Sequence, residues 1–290
     1  MNIATLLILA FLSSIGAANN VVFHDSSRNR DIPVKVYYPA SQTGSLPLIV
    51  FSHGFGGTKD GYEYLGRGWA QAGYVVVFPT HPDSDHAALG LRALRTARDP
   101  IASFKLQMDR VQDISFVLSS LDVIEKAVQE LKGKIDKKRI GVGGHSMGAG
   151  TALLEAGATA NPQSSQGRSF RDNRVTAVVA MSPQGTGAEG FDEHSWDDLH
   201  IPIMTMSGTE DFGVGGESAS WRQEAFAHMP SGDKYQVMVQ GARHLSFAIG
   251  MRFHDCILKE SIAFWDRYLK QDSGSKGTIQ SVGACDVKAK

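Results

Sequence analysis

The chain has 290 residues, 42% of them hydrophobic and 20% charged, enough apolar material for one large domain with a well-buried core. A formal net charge of −1 and a pI near 6.8 exclude the broad electrostatic footprint that a nucleic acid or an anionic membrane would require. The expected partner is small or neutral.

Residues 1–18 carry the apolar run Ala4-Thr-Leu-Leu-Ile-Leu-Ala-Phe-Leu, then Ser13, Ser14, Gly16, Ala17 and Ala18. This is the pattern of a secretory signal cleaved near Ala18. Its n-region lacks Lys and Arg, which leaves a buried or anchoring helix as the alternative, but the run is short for a membrane span and predicts no stable insertion. No cysteine follows the cleavage region to carry a lipid. The expectation is a secreted or periplasmic protein with one domain at 19–272 and a tail at 273–290.

Seven β-rich runs follow, at 32–38, 46–51, 74–78, 139–143, 175–181, 201–206 and 235–239. Several are apolar throughout, as strands covered by helices on both faces must be. Between them, Asp60 with Glu63 reads as a capping-box-like start to a helix through Trp69 and Ala70. Asp99 reads as an N-cap with Pro100 in the first helical position. Residues 106–131 place Val111, Ile114, Val117, Leu118, Leu121 and Ile124 at helical spacing. Further helices are expected after Ser146, from about 217 to 228, and over 254–269, the last with Leu258, Ile262, Trp265 and Leu269 in one stripe. This alternation predicts an α/β protein with a doubly wound, mostly parallel sheet and helices on both faces. Polar and glycine-rich stretches are confined to connections at 161–173 and 184–196 and to the tail, so no large cap domain is expected.

The chemistry-bearing residues fall at the ends of these strands. His53-Gly-Phe-Gly-Gly57 follows the run 46–51; glycines there let the backbone approach a developing oxyanion closely. Phe55 N–H is one expected donor, and His53 is expected to order the loop. The run His81-Pro-Asp-Ser-Asp-His86 offers His81, Asp83, Asp85 and His86 as a conceivable metal set, but its spacing fits no zinc or calcium motif. A solvated loop at the rim of the site is the preferred reading.

Gly144-His-Ser-Met-Gly148 is a G-x-S-x-G pentapeptide between the apolar run 139–143 and a helix-forming stretch. Alone it is weak evidence, arising by chance in roughly one chain in ten of this length. Its place between a strand and a helix makes it a nucleophile elbow, with Ser146 as nucleophile and Met147 N–H as the second oxyanion donor. His145 reads as a packing or hydrogen-bonding residue of the elbow. A serine hydroxyl needs a base, and the base needs an orienting acid. Gly208-Thr-Glu-Asp211 supplies the acid, with Asp211 favoured over the rival Glu210, and Gly241-Ala-Arg-His244 supplies the base, His244. Trp196 and Trp221 could each be packed or facing substrate. Cys256 and Cys285 are too few for a zinc framework or a redox pair, and export makes a single disulfide between them plausible.

The segments Phe51-Ser-His-Gly-Phe-Gly-Gly, Gly61-Tyr-Glu-Tyr-Leu, Trp69-Ala-Gln-Ala-Gly-Tyr-Val-Val-Val-Phe-Pro-Thr-His-Pro, Gly144-His-Ser-Met-Gly and Ser207-Gly-Thr-Glu-Asp resemble secreted α/β-hydrolases of the predicted dienelactone hydrolase type. The resemblance runs from about Asp31 to Lys270 and extends more distantly to platelet-activating-factor acetylhydrolases and cutinase-like polyester hydrolases. It implies an α/β-hydrolase fold and ester cleavage. This elbow carries Ser146 where true dienelactone hydrolases carry a cysteine. The acetylhydrolases take their acid from the preceding strand, whose end here, 181–187, holds no carboxylate, leaving Asp211. Polyester hydrolases usually carry a tryptophan soon after that strand; here stand Pro183 and Gln184.

The sequence therefore predicts an exported serine carboxylic-ester hydrolase without a cofactor, using Ser146, His244 and Asp211 on short-chain or small soluble esters. The alternatives are a cutinase-like polyester hydrolase or phospholipid acetylhydrolase, an acyltransferase or peptidase with the same triad, and a non-catalytic binding protein on the same fold.

Overall fold

The computed structural model describes residues 17–41, 44–84, 99–161, 167–270 and 279–290. In chain order its elements are β1 (Ala17–Asp25), β2 (Arg30–Tyr38), β3 (Leu46–Ser52), α1 (Glu63–Gln71), β4 (Val75–Pro79), α2 (Pro100–Ser119), α3 (Leu121–Ala127), β5 (Ile135–His145), α4 (Met147–Ala156), β6 (Thr159–Ala160), β7 (Arg168–Ser169), β8 (Val175–Met181), β9 (Ile203–Gly208), α5 (Glu224–His228), β10 (Lys234–Val239), α6 (Ser246–Ile249), α7 (Met251–Trp265) and β11 (Cys285–Ala289). The expected signal segment lies outside the described residues up to 16.

A nine-stranded sheet runs in the order β1-β2-β4-β3-β5-β8-β9-β10-β11. The strands from β4 to β10 are parallel to their neighbours, and β1, β2 and β11 add antiparallel edges. Side chains alternate across this sheet, so Leu48 and Val50 join one core layer while Ile49 and Phe51 join the other. α2 and α4 cover the first face and α1 and α7 the second, through Ile114 and Leu153 on one side and Leu65 and Ile257 on the other. The doubly wound arrangement predicted from alternation is the one found.

Register aligns the carboxyl ends of the central strands. Ser52 lies opposite Gly144, His145 opposite Met181, Met181 opposite Met206, and Gly208 opposite Val239. Whatever follows those residues is gathered along one edge.

Several elements differ from expectation. β1 and β11 lie in segments read as a leader's end and a tail; their polar, half-buried edge patterns carry little strand signal. The helix runs from Pro100, with Asp99 capping the amides of Ile101 and Ala102 as anticipated, but the helical pattern read over 106–131 breaks at Ser120. There Ser119 Oγ bonds back to Ser115 O at 2.7 Å, a contact that weakens the backbone ladder. α1 has no Asp60 cap. Its N-cap is Tyr62 in a left-handed conformation, because the Tyr62 ring turns inward toward Phe51, while Asp60 pairs with Lys35 and Lys59 on the surface. The helix expected over 217–228 is a 3-10 turn (Ala219–Gln223) followed by the short α5. On α7 the buried stripe is Phe253, Cys256, Ile257, Phe264 and Trp265, with Leu258 and Ile262 only partly covered.

Candidate active site

β5 must reverse into α4 within one residue, and Ser146 sits at that residue with φ 56° and ψ −123°. A side chain on Gly144 would overlap the Gly148 carbonyl, and one on Gly148 would overlap the Ser52 carbonyl of β3. The two glycines are therefore steric requirements of the elbow.

Ser146 Oγ lies 2.9 Å from His244 Nε2, and His244 Nδ1 lies 3.0 Å from Asp211 Oδ1. Asp211 follows β9 and His244 follows β10, so three strand ends supply the three groups. Glu210, the rival acid, points to the surface and pairs with Arg243 at 2.9 Å. Asp211 is fully buried. Burial pushes its carboxyl up, but the His244 hydrogen bond, the Arg222 charge and the Ser182 hydroxyl outweigh it and hold the group below its ordinary range.

Two residues here went unassigned in the sequence. Arg222, eleven positions beyond Asp211, donates from Nε to Asp211 Oδ1 at 3.0 Å. Ser182 Oγ lies 2.8 Å from His244 Nδ1 and bonds Asp211 Oδ2. Nothing local in the sequence marks either one: Ser182 reaches Asp211 from the neighbouring strand end, and Arg222 folds back to it from the turn before α5 within the same connection.

His145 has the hydrogen-bonding role expected of it. Its Nε2 donates to the His244 carbonyl at 3.0 Å, and its Nδ1 accepts from Tyr62 Oη at 2.7 Å. Burial, then the neighbouring His244, keeps the imidazole well below its ordinary value and hence neutral; burial pushes the Tyr62 phenol up to about 12, so it remains a donor. This relay fixes the backbone that carries His244.

Phe55 and Met147 both line the cleft beside Ser146. The loop bearing Phe55 is held from beneath by Arg110 of α2, which donates to the carbonyls of His53 and Gly54 and pairs with Asp83. His53 Nδ1 bonds Gly54 O at 2.7 Å, and its Nε2 accepts from Ser84 Oγ at 2.9 Å. The expectation of a solvated 81–86 loop is thus corrected for its first residues. His81 and Asp83 are buried because they neutralise and hydrogen-bond this scaffold: His81 reaches Asp113 at 2.9 Å and Ser52 at 3.0 Å. Ser52, His81 and Asp113 reproduce a serine–histidine–carboxylate pattern, but Ser52 is fully buried and Arg110 donates into its hydroxyl at 3.1 Å. Asp85 and His86 lie outside the described residues; among those described, no group of three or more His, Cys, Asp or Glu could hold a metal.

The cleft over Ser146 has a volume of about 800 Å³. Gln107 ties its floor together, donating to Met147 O at 2.8 Å and to Glu189 while accepting from Thr151 at 2.6 Å. Burial pushes the Glu189 carboxyl up to about 8. Trp221 lines the cleft, its indole N–H bonded to Thr186 O at 2.9 Å. Trp196 is a buried packing residue against Phe191. Cys256 and Cys285 are joined in a disulfide with Cα atoms 5.9 Å apart, and no helix among the described residues is long and apolar enough to cross a membrane.

The chain is similar to several known hydrolases. Esterase YjfP of Escherichia coli (strain K12) is 32% identical over 130 residues, covering 44% of this chain and 47% of that protein. A platelet-activating factor acetylhydrolase of Cavia porcellus is 25% identical over 288 residues, covering 83% of this chain and 62% of its own length. The bis(hydroxyethyl) terephthalate hydrolase of Streptomyces coelicolor is 24% identical over 241 residues, covering 82% of this chain and 62% of its own length. The chain thus spans less than two thirds of each of these relatives. Residues 32–279 match the family described as PET hydrolase-like, a stretch that contains the elbow, both neighbouring strand-end loops and the whole parallel sheet, and the chain belongs to that family of α/β-hydrolases.

Proposed function

We propose that the protein is an exported serine carboxylic-ester hydrolase. The observation that carries this reading is the relay from Ser146 Oγ through His244 to Asp211, with contacts of 2.9 and 3.0 Å. Ser146 Oγ attacks the ester carbonyl as its proton passes to His244 Nε2, and Asp211 keeps the other ring proton on Nδ1. The oxyanion forms at the start of α4, where the Phe55 and Met147 amides receive it. His244 returns the proton to the leaving alcohol, and water repeats the cycle on the acyl-enzyme. The scheme uses no cofactor.

Short-chain and small soluble esters are the proposed substrates, because among the described residues no inserted domain roofs the cleft to bury a long acyl chain. Each further buried CH₂ would otherwise add about 0.8 kcal/mol of binding. Trp221 favours a second reading, cleavage of aromatic polyesters: it gives the cleft an aromatic wall from the segment before α5, although Pro183 and Gln184 replace the tryptophan expected nearer β8. The apolar N-terminal run expected to be an export signal and the disulfide both support the reading of an extracytoplasmic enzyme.

An organophosphonate probe followed by peptide mass analysis should label Ser146, and Ser146→Ala should abolish ester turnover; labelling elsewhere with an active Ser146→Ala would overturn the assignment. Specificity constants for acetyl, butyryl, octanoyl and palmitoyl esters, measured beside bis(hydroxyethyl) terephthalate, should fall with chain length. A steady rise toward palmitoyl would contradict the short-chain reading, and preference for the terephthalate would select the polyester one.

A further inference from the structure

We propose that Ser182 is a positioning residue that fixes the tautomer of His244 and the orientation of Asp211, an inference that rests on the relay reading of Ser146, His244 and Asp211. Ser182 directly follows β8 and is fully buried. Its backbone is clamped on both sides: the N–H donates to Met206 O at 2.6 Å, and the carbonyl accepts from Arg222 Nη1 at 3.2 Å. Its φ is +55°, a conformation that glycine or asparagine adopts more readily. Serine at this turn therefore supplies something other than backbone freedom, and its hydroxyl lies against both partners of the relay.

A hydroxyl has one proton and two lone pairs. Asp211 Oδ2 is an ionised carboxylate oxygen and can only accept, so the Ser182 proton goes there. A lone pair of Ser182 Oγ then faces His244 Nδ1 at 2.8 Å, alongside Asp211 Oδ1 at 3.0 Å. With two acceptors against it, Nδ1 must carry the neutral ring's proton. Nε2 is left with its lone pair toward Ser146 Oγ, the arrangement in which His244 can act as base.

Arg222 makes this second acceptor consequential. Its Nε donates at 3.0 Å to Asp211 Oδ1, the oxygen that also serves His244. Without the Ser182 hydroxyl, His244 would depend on an oxygen shared with a guanidinium, and the buried Oδ2 would lose its donor.

The test uses Ser182→Ala, Ser182→Gly and Ser146→Ala in the full mature chain, assayed with p-nitrophenyl acetate and checked for folding by thermal melting. Glycine accepts the positive φ but has no hydroxyl, so it separates the turn from the hydrogen bonds. Both Ser182 variants should lose kcat by about ten- to a hundredfold with KM little changed. The downfield proton resonance of His244 Nδ1–H should shift or vanish in both. If Ser182→Ala does not fold, Ser182→Gly decides. Wild-type kcat in Ser182→Gly, or an unmoved Nδ1–H resonance in a slowed variant, overturns the proposal. An inactive Ser146→Ala beside fully active Ser182 variants would overturn this inference alone, whereas a fully active Ser146→Ala would overturn the relay reading beneath it.

Discussion

Arg222 donates from Nε to Asp211 Oδ1 at 3.0 Å, on the same oxygen that His244 Nδ1 faces at 3.0 Å. Both members of this ion pair are buried, and the guanidinium also reaches the carbonyls of Ser182, Pro183 and Phe212 at 3.2, 3.3 and 3.4 Å. One side chain thus joins the loop after β8 to the loop after β9. Removing it leaves a buried carboxylate without its counter-charge, so Arg222→Met should destabilise the protein by about 3–5 kcal/mol. Urea denaturation measures this, and a loss below about 1 kcal/mol would show that the pair is not what holds these loops.

Asp211 and Glu210 are adjacent in sequence but differ in surroundings, one buried against His244 and the other on the surface with Arg243. Asp211→Asn should lower turnover of p-nitrophenyl acetate by orders of magnitude, toward the roughly 10⁴-fold loss seen when the analogous serine-protease carboxylate becomes an amide. Glu210→Gln should leave turnover unchanged. The reverse ranking would move the acid to Glu210.

Glu189 should make stability fall as pH rises. Its carboxyl ionises near 4.5 in an unfolded chain but is held up to about 8 by burial in the fold. The folded state therefore binds the extra proton between these values, and the contribution, complete below 4.5, is lost as pH rises toward 8. Glu189→Gln keeps an acceptor for Gln107 and cannot ionise. Its stability relative to wild type should grow by about 1.4 kcal/mol per pH unit across that window. Unfolding measured at intervals from pH 5 to 8 provides the comparison; a constant difference would mean that Glu189 does not titrate there.

The Cys256–Cys285 bridge spans 29 positions and ties β11 to α7. Closing such a loop stabilises a fold by about 3 to 4 kcal/mol in the chain-entropy model. Thiol titration of the denatured, unreduced protein should find no free thiol, and Cys285→Ser should lose stability of that order. Two reactive thiols in protein from its native compartment would refute the bridge.

The central strands and the elbow could be read from the sequence because their physical demands are local. A strand covered on both faces must be apolar along its length, as Val75–Pro79 is, and a strand-to-helix reversal needs small residues at fixed offsets, as Gly144 and Gly148 supply. Strand order then implied that Ser146, Asp211 and His244 emerge on one edge. The edge strands β1 and β11 carried no such signature, because an edge is half solvated and its pairing partner, not its composition, makes it a strand.

What remained hidden depends on which loops are brought into contact. Ser182 is a loop hydroxyl until β8 and β9 pair in register and carry it to Asp211, and Arg222 is an ordinary surface-type cation until the connection after β9 folds back on itself. Arg110 and Asp83 likewise reveal their role only when α2 packs beneath the loop after β3. The sequence by itself determined the sheet, the turn that strains Ser146 and the chemical types at the strand ends, because bond geometry and side-chain volume act between near neighbours. Only the tertiary structure decided which buried charges and hydroxyls complete the site, because hydrogen bonds and ion pairs between distant segments exist only once packing has excluded water and fixed their distances.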